Sequence, residues 1–169
     1  LSSIGIELRF ISAVADDESL IADAIVQGLS RSDLVLTTGG LGPTVDDKTR
    51  AAVALATDTS LVFQTALLEQ IESRFAQWGR NMSKNNLQQA YTPEGALPIE
   101  NLVGTAPCFI VNHRNSRVIC LPGVPLEMIY LLEHEVIPYL LDIFPFPKVI
   151  KARVLHTVGL GESLLDSKI

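Results

Sequence analysis

Residues 37–50, TTGGLGPTVDDKTR, place three glycines, a proline and the adjacent carboxylates of Asp46 and Asp47 directly behind the apolar run DLVLT. Those residue types admit two readings. A glycine-rich turn from the carboxyl end of a strand into a helix N-terminus leaves backbone N–H groups unpaired, and small side chains let a phosphate approach them. Carboxylates beside a phosphate repel it unless a cation such as Mg²⁺ lies between, so the combination describes a metal-assisted site. The competing reading is structural: Thr44-x-x-Asp47 fits a capping box, and an acid in a first helical turn stabilises the helix with no function at all. The residues alone leave both open. They do exclude two nucleotide loops, because Val45 stops Gly40-x-Gly42 from extending to G-x-G-x-x-G and no Lys-Ser or Lys-Thr completes a P-loop.

The loop needs elements on either side to hold it. SDLVLTT, apolar and followed by turn residues, predicts a buried strand. Ahead of it, Leu20, Ile21, Ala24, Ile25 and Leu29 recur at three- and four-residue steps and predict a helix, preceded by a strand over ELRFISAVAD that ends at Asp16 and Asp17. Behind the loop, DKTRAAVALATD predicts a tightly packed helix. QTALLEQIESRFAQWGR predicts an amphipathic one with Leu67, Leu68, Ile71, Phe75 and Trp78 on one side, ended by Gly79. A short helix over SKNNLQQAY and strands over ALPIEN, CFIVNH and RVICLPG follow, the last two forming a hairpin across Arg114-Asn115-Ser116. PLEMIYLLEHEVIPYLLDIF reads as a helix started by Pro125 and kinked or broken at Pro138. PFPK reads as a linker, VIKARVLHTVG as a strand, and GLGES as a turn into a helix. The alternation predicts an α/β fold, a three-layer α/β/α sandwich with a mainly parallel sheet, over residues 1–147, with a second small α+β unit beginning over 148–169. The opening LSSIGIELRFISAV, starting at Leu1, reads as a helix tail, a turn at Gly5 and a strand, and predicts a first strand and loop upstream.

Composition narrows the function classes. At 169 residues, 47% hydrophobic and 19% charged, the chain suits one compact domain with the edge of a second. A charge of -6, from 19 acidic against 13 basic residues with no dense Lys/Arg run, argues against nucleic acid as a partner. Cys108 and Cys120 form no C-x-x-C pair, and His113, His134 and His156 show no zinc spacing, which fits a reducing, cytoplasmic setting. No apolar run is long enough to span a bilayer, since MIYLLEHEVIPYLLDIF is interrupted by Glu133, His134, Glu135 and Pro138. The sequon Asn81-Met82-Ser83 reads as chance in such a protein.

SDLVLTTGGLGPTVDDKTRAAVA, NNLQQAYTPEGA, NLVGTAPCF and LPGVPLEM occur in this order, and together they closely resemble the molybdopterin-binding-like domain of the competence/damage-inducible CinA family. The resemblance runs from about residue 4 to the chain end. It implies the fold of the related MogA and MoaB proteins. It also implies a ligand loop built from Gly39, Gly40, Gly42 and Thr44, with Thr49 closing the same block. Gly104, Thr105, Ala106 and Pro107, then Pro122, Gly123, Val124, Pro125 and Glu127, would line the pocket from two other loops, and Asn85 and Asn86 fall in the family's Asn-rich block. Members of the family are associated with divalent-metal-dependent hydrolysis of ADP-ribose to AMP and ribose 5-phosphate. The resemblance therefore implies Asp46 and Asp47 as the catalytic and metal-holding pair, with Mg²⁺, Mn²⁺ or Co²⁺ as cofactor. Two alternatives stay open: a molybdopterin-binding or adenylyl-transferring protein, and a nucleotide- or pterin-binding module without chemistry. A homo-oligomer, dimer or trimer, is the further expectation, with the apolar helix at 125–141 as its interface. Three departures matter. Cys108 stands where the family usually has glycine, the family's N-terminal GDE block is absent from these residues, and they do not include the deamidase domain that CinA proteins often carry, so the resemblance implies no deamidation here.

Overall fold

The computed structural model describes residues 1–144 together with His156, Val158 and Gly159. Helix α1 (Glu18–Arg31) begins where Asp17 accepts hydrogen bonds from the Ser19 and Leu20 amides, so Asp17, expected with Asp16 to end a strand, in fact caps a helix. It leads into strand β1 (Leu34–Thr38) and, past the glycine loop, into α2 (Thr49–Ala56). Then come β2 (Leu61–Phe63), α3 (Thr65–Gln77), a 3₁₀ turn over Lys84–Ala90, β3 (Tyr91–Pro93) and β4 (Leu97–Ile99). The hairpin strands β5 (Cys108–His113) and β6 (Ser116–Leu121) lead to α4 (Pro125–Leu131), a π turn over Leu132–Val136, and α5 (Ile137–Ile143).

The main sheet has the order β1-β6-β5-β4. Alternate residues of β5 and β6 serve two cores. Phe109, Val111, Val118 and Cys120 pack with Ile25 and Val53 of α1 and α2, while Cys108, Ile110, Ile119 and Leu121 pack with Leu131, Val136 and Leu140. This period of two, apolar on both faces, produces the three layers expected. The sheet itself is mixed: β1 runs parallel to β6, but β5–β6 and β4–β5 are antiparallel, as is the separate β2–β3 pair. The physical reason is the tight hairpin, which closes with His113 opposite Ser116 and which antiparallel neighbours alone can form. Strands β2 and β3, three residues each, are too short to show a periodic pattern in the sequence.

One other expectation changes. The run over ELRFISAVAD is no strand. Residues 7–14 make no backbone hydrogen bond among the described residues, and Leu8, Phe10 and Ile11 remain exposed. The break expected at Pro138 takes the form of a π turn over Leu132–Val136 just ahead of it, which absorbs the missing N–H and the ring's clash with the preceding turn before α5 resumes. The PFPK linker and nearly all of 148–169, with the strand over VIKARVLHTVG and the turn over GLGES, lie outside the described residues. Among the described residues no helix is long and apolar enough to cross a membrane.

Candidate functional site

Parallel pairing of β1 with β6 brings the loops that follow them to one end of the sheet, and the antiparallel β5 brings the loop that precedes it to the same end. In open α/β sheets this carboxyl end is where ligands bind. Direct contacts join the loops in a circuit. The Gly39 amide donates to the Leu121 carbonyl at 2.9 Å, and a Cβ on Gly123 would lie 3.1 Å from the Gly39 Cα. Glu127, in the first turn of α4, accepts a 2.6 Å hydrogen bond from Asn101 Nδ2. Gln89 reaches Thr105 Oγ1 at 3.4 Å, and Gln88 closes the circuit on the Thr44 carbonyl at 3.3 Å.

The glycine loop is held from inside. Leu41, 1% exposed, is buried in the core between α1 and the sheet. Arg50, 4% exposed, donates from Nη1 to the Leu41 carbonyl and from Nη2 to the Gly42 carbonyl at 2.8 Å. Burial lowers its pKa to about 10, opposed by the charge of Asp47, so it stays a cation at neutral pH. Thr49 donates from Oγ1 to the Gly39 carbonyl at 2.8 Å and from its amide to the Gly40 carbonyl at 3.2 Å. Gly40 has φ +68°, and a Cβ there would lie 2.1 Å from Thr49 Oγ1, so only glycine fits.

The two carboxylates divide their roles. Asp47 Oδ1 accepts from the Gly42 amide at 2.8 Å, and Oδ2 accepts from the Thr44 amide and hydroxyl, both at 2.7 Å. Burial works against its ionisation, but the Thr44 and Gly42 donors outweigh burial and hold the carboxyl below the usual range. This is a loop clamp and not a helix cap, because the N-cap of α2 is Lys48. Asp46 is exposed, and its carboxylate has no hydrogen-bond partner among the described residues. The amides of Gly39, Gly42 and Thr44 are thus committed within the fold, whereas those of Gly40 and Leu41 make no bond among the described residues.

Other expected site residues separate. Gly104 and Ala106 are buried, and Thr105 is half-buried in the circuit. Gly123, Val124 and Pro125 are exposed at the rim, while Pro122 is buried behind them. Asn85 points to solvent without a bond, and its neighbour Asn86 is the structural one, pairing with Ser83 and Gln89. Cys108 is wholly buried on the α4–α5 side, where burial drives its thiol pKa far up, so its side chain packs in the core as an inert thiol. Sequence reasoning did not single out Arg50, Gln88, Gln89 or Asn101. The apolar context around Arg50 in TRAAVALA was the one available sign that this arginine is buried.

Burial raises the Glu127 carboxyl, and the Asn101 hydrogen bond opposes that shift. Gly104 makes room for this side chain: a Cβ at Gly104 would lie 2.1 Å from Glu127 Cδ. The clash falls on the tip of a flexible side chain. Gly104→Ala should therefore keep the fold, with a stability change within about 1 kcal/mol, while swinging Glu127 out of its bond with Asn101. Loss of that bond is checked by the Asn101 side-chain amide resonances, which should shift in the variant while thermal unfolding stays close to that of the wild type.

A divalent metal can be tested against these residues. Among the described residues no group of three or more His, Cys, Asp or Glu side chains could hold an ion. Mg²⁺ does not require one, since it keeps several waters and binds through one or two carboxylates plus substrate phosphates. The free carboxylate of Asp46, beside the partly committed Asp47, fits that shared mode.

Residues 1–142 match the family described as "Probable molybdopterin binding domain". Curated relatives named competence-damage inducible protein are 42% identical in Halothermothrix orenii and 41% in Caldicellulosiruptor saccharolyticus, each over all 169 residues. The chain spans about 40% of the length of those relatives. A crystal structure of the protein CinA, of unknown function, from Thermoplasma acidophilum is 36% identical and superposes with a TM-score of 0.73, over 80% of this chain and 79% of that one. With a matching family domain over 1–142, a CinA structure that follows its fold, and the three loops gathered at one end of the sheet, the chain belongs to the molybdopterin-binding domain family and, within it, to the CinA proteins.

Proposed function

We propose that this domain hydrolyses a nucleotide-sugar pyrophosphate with the help of a divalent metal, ADP-ribose giving AMP and ribose 5-phosphate. The observation that carries the reading is the asymmetry of the acidic pair. Asp47 is spent on shaping the loop, while Asp46, the next residue along the same loop, keeps an exposed carboxylate with no partner among the described residues. An exposed, unbonded carboxylate in a glycine loop is free to share a cation with a phosphate bound there.

In this reading the Gly40 and Leu41 amides donate to a phosphoryl oxygen and stabilise the charge that gathers there. Asp46, with the remaining lone pair of Asp47, would hold the metal, which when bound screens the diphosphate and activates water. The water oxygen bonds to one phosphorus and the bridging P–O bond breaks, leaving one phosphate on each product. Glu127, on the far side of the circuit and held there by buried Asn101, keeps a second carboxylate oxygen as an acceptor for the nucleoside end. The same acceptor suits the N–H groups of a pterin, and the family description favours a second reading, molybdopterin binding; adenylyl transfer to that ligand is its catalytic variant.

The deciding experiment incubates the full-length protein with ADP-ribose and Mg²⁺, Mn²⁺ or Co²⁺ and follows AMP by chromatography. Metal-dependent AMP, abolished by chelation, is the expected result. Absence of AMP together with saturable pterin binding would transfer the site to the second reading.

A further inference from the structure

A thread of polar side chains runs from the 3₁₀ turn over Lys84–Ala90 to the loop before β5. Its first link is Asn86, whose Oδ1 accepts from the Ser83 amide at 3.1 Å and from the Ser83 hydroxyl at 2.7 Å. A backbone N–H can only donate, so the oxygen of the Asn86 side chain must face Ser83 and its nitrogen must face away. That nitrogen donates to Gln89 Oε1 at 3.0 Å. With its oxygen taken, Gln89 has Nε2 left to reach Thr105 Oγ1, which it does at 3.4 Å. Gln89 is 1% exposed and cannot turn to water instead. The direction of the whole thread is thus set by one backbone amide at its start. It ends on a hydroxyl that accepts from Gln89 and still has its own proton to give, and among the described residues nothing takes that proton.

We propose that Thr105 donates its hydroxyl proton to a phosphate oxygen of the ligand, and that Gln89 is the positioning residue that keeps this hydroxyl a donor. The placement favours a phosphate. Thr105 lies in the loop that β5 brings to the ligand end of the sheet, and Gln88, the residue before Gln89, donates to the Thr44 carbonyl at 3.3 Å. One short turn therefore ties the glycine loop to the Thr105 loop. An ionised phosphate accepts and does not donate, so it needs donors beyond the free amides of Gly40 and Leu41. The carboxylates of Asp46 and Glu127 cannot supply them, whereas Thr105 adds one without adding charge. Bonds that all point the same way polarise one another, which makes the last proton of the thread a better donor than that of an isolated hydroxyl. The inference rests on the reading that a diphosphate lies against the glycine loop, and it holds whether or not that diphosphate is cleaved.

The test is binding, measured by calorimetry on the full-length protein with Mg²⁺ and either ADP or inorganic pyrophosphate. Thr105→Val keeps the shape of the side chain and removes the proton, so affinity for both ligands should fall roughly tenfold or more, with thermal unfolding close to the wild type. Thr105→Ser restores the hydroxyl and should bind within about threefold of the wild type. Gln89→Met removes the aligning donor and should weaken ADP roughly fivefold. Added to Thr105→Val it should cost nothing further, a coupling that a merely structural glutamine would not show. Gln89→Glu is the second variant at this position: it keeps the size and the Asn86 bond but accepts where glutamine donates, turns the Thr105 proton toward itself, and should lose ADP affinity at least as far. Unchanged affinity in Thr105→Val, additive losses for the two positions, or a loss seen with ADP and not with pyrophosphate would each overturn the proposal. A wild type that binds both ligands without hydrolysing ADP-ribose removes the reaction and leaves this inference standing, whereas one that binds neither removes both.

Discussion

Arg50→Ala is expected to destabilise the domain by about 3 kcal/mol, a fall in melting temperature of roughly 6–12 °C for a chain of this size. The side chain is 4% exposed, and its two bonds satisfy the carbonyls of Leu41 and Gly42 at the centre of the glycine loop. Removing it leaves both acceptors without a donor and opens a cavity beside Leu41, and each unsatisfied buried group costs about 1–3 kcal/mol. Relief of the desolvated charge offsets part of this, which is why the estimate is below the sum. Arg50→Lys should recover little. A single ammonium cannot span two carbonyls that a planar guanidinium reaches with separate nitrogens. Thermal unfolding of the two variants checks the argument, and a lysine variant that melts with the wild type would show that charge alone, and not the fork, holds the loop.

Arg50 also shows where the sequence stops being legible. The helices, the strand before the glycine loop, though half-buried and not buried as its apolar run predicts, and the hairpin at 114–116 follow from local patterns, since apolar periodicity and turn residues act over a few positions. The loop glycines at 39, 40 and 42 are equally readable, because their need for space is local. What holds the loop is not. A buried arginine satisfying backbone carbonyls eight and nine residues back, or Gln88 reaching Thr44 across 44 positions, depends on tertiary packing that carries no periodic signal. The run at 7–14 has the composition of a strand but pairs with nothing among the described residues, and pairing is a property of the neighbour as much as of the segment. Asp46 and Asp47 read as one unit for a related reason: adjacent carboxylates are identical in sequence terms, and the different bonds that separate their roles appear only when the loop is folded.

That separation yields the sharpest test of the proposed chemistry. Asp46→Asn should leave the melting temperature within about a degree, because the carboxylate has no partner among the described residues to lose. It should lower AMP release by roughly 100-fold, equivalent to about 2.7 kcal/mol of transition-state stabilisation, and raise the metal concentration needed for half-maximal rate. Asp47→Asn is expected to behave differently. An amide keeps one acceptor oxygen and turns the other position into a donor, facing either the Gly42 amide or the amide and hydroxyl of Thr44. The loop then loses charge-assisted bonds worth about 1–2 kcal/mol after allowance for solvent, so stability and turnover fall together. The pH response has the same origin. Because the folded protein holds the Asp47 carboxyl below its usual range, its contribution to stability is complete above that range and is lost as the pH falls through the lowered value. The Asn variant should lack that acid-side loss, whereas the Asp46 variant should retain it. If Asp46→Asn turns over at the wild-type rate with unchanged metal dependence, Asp46 is no metal ligand. The free carboxylate beside the glycine loop would then need another explanation.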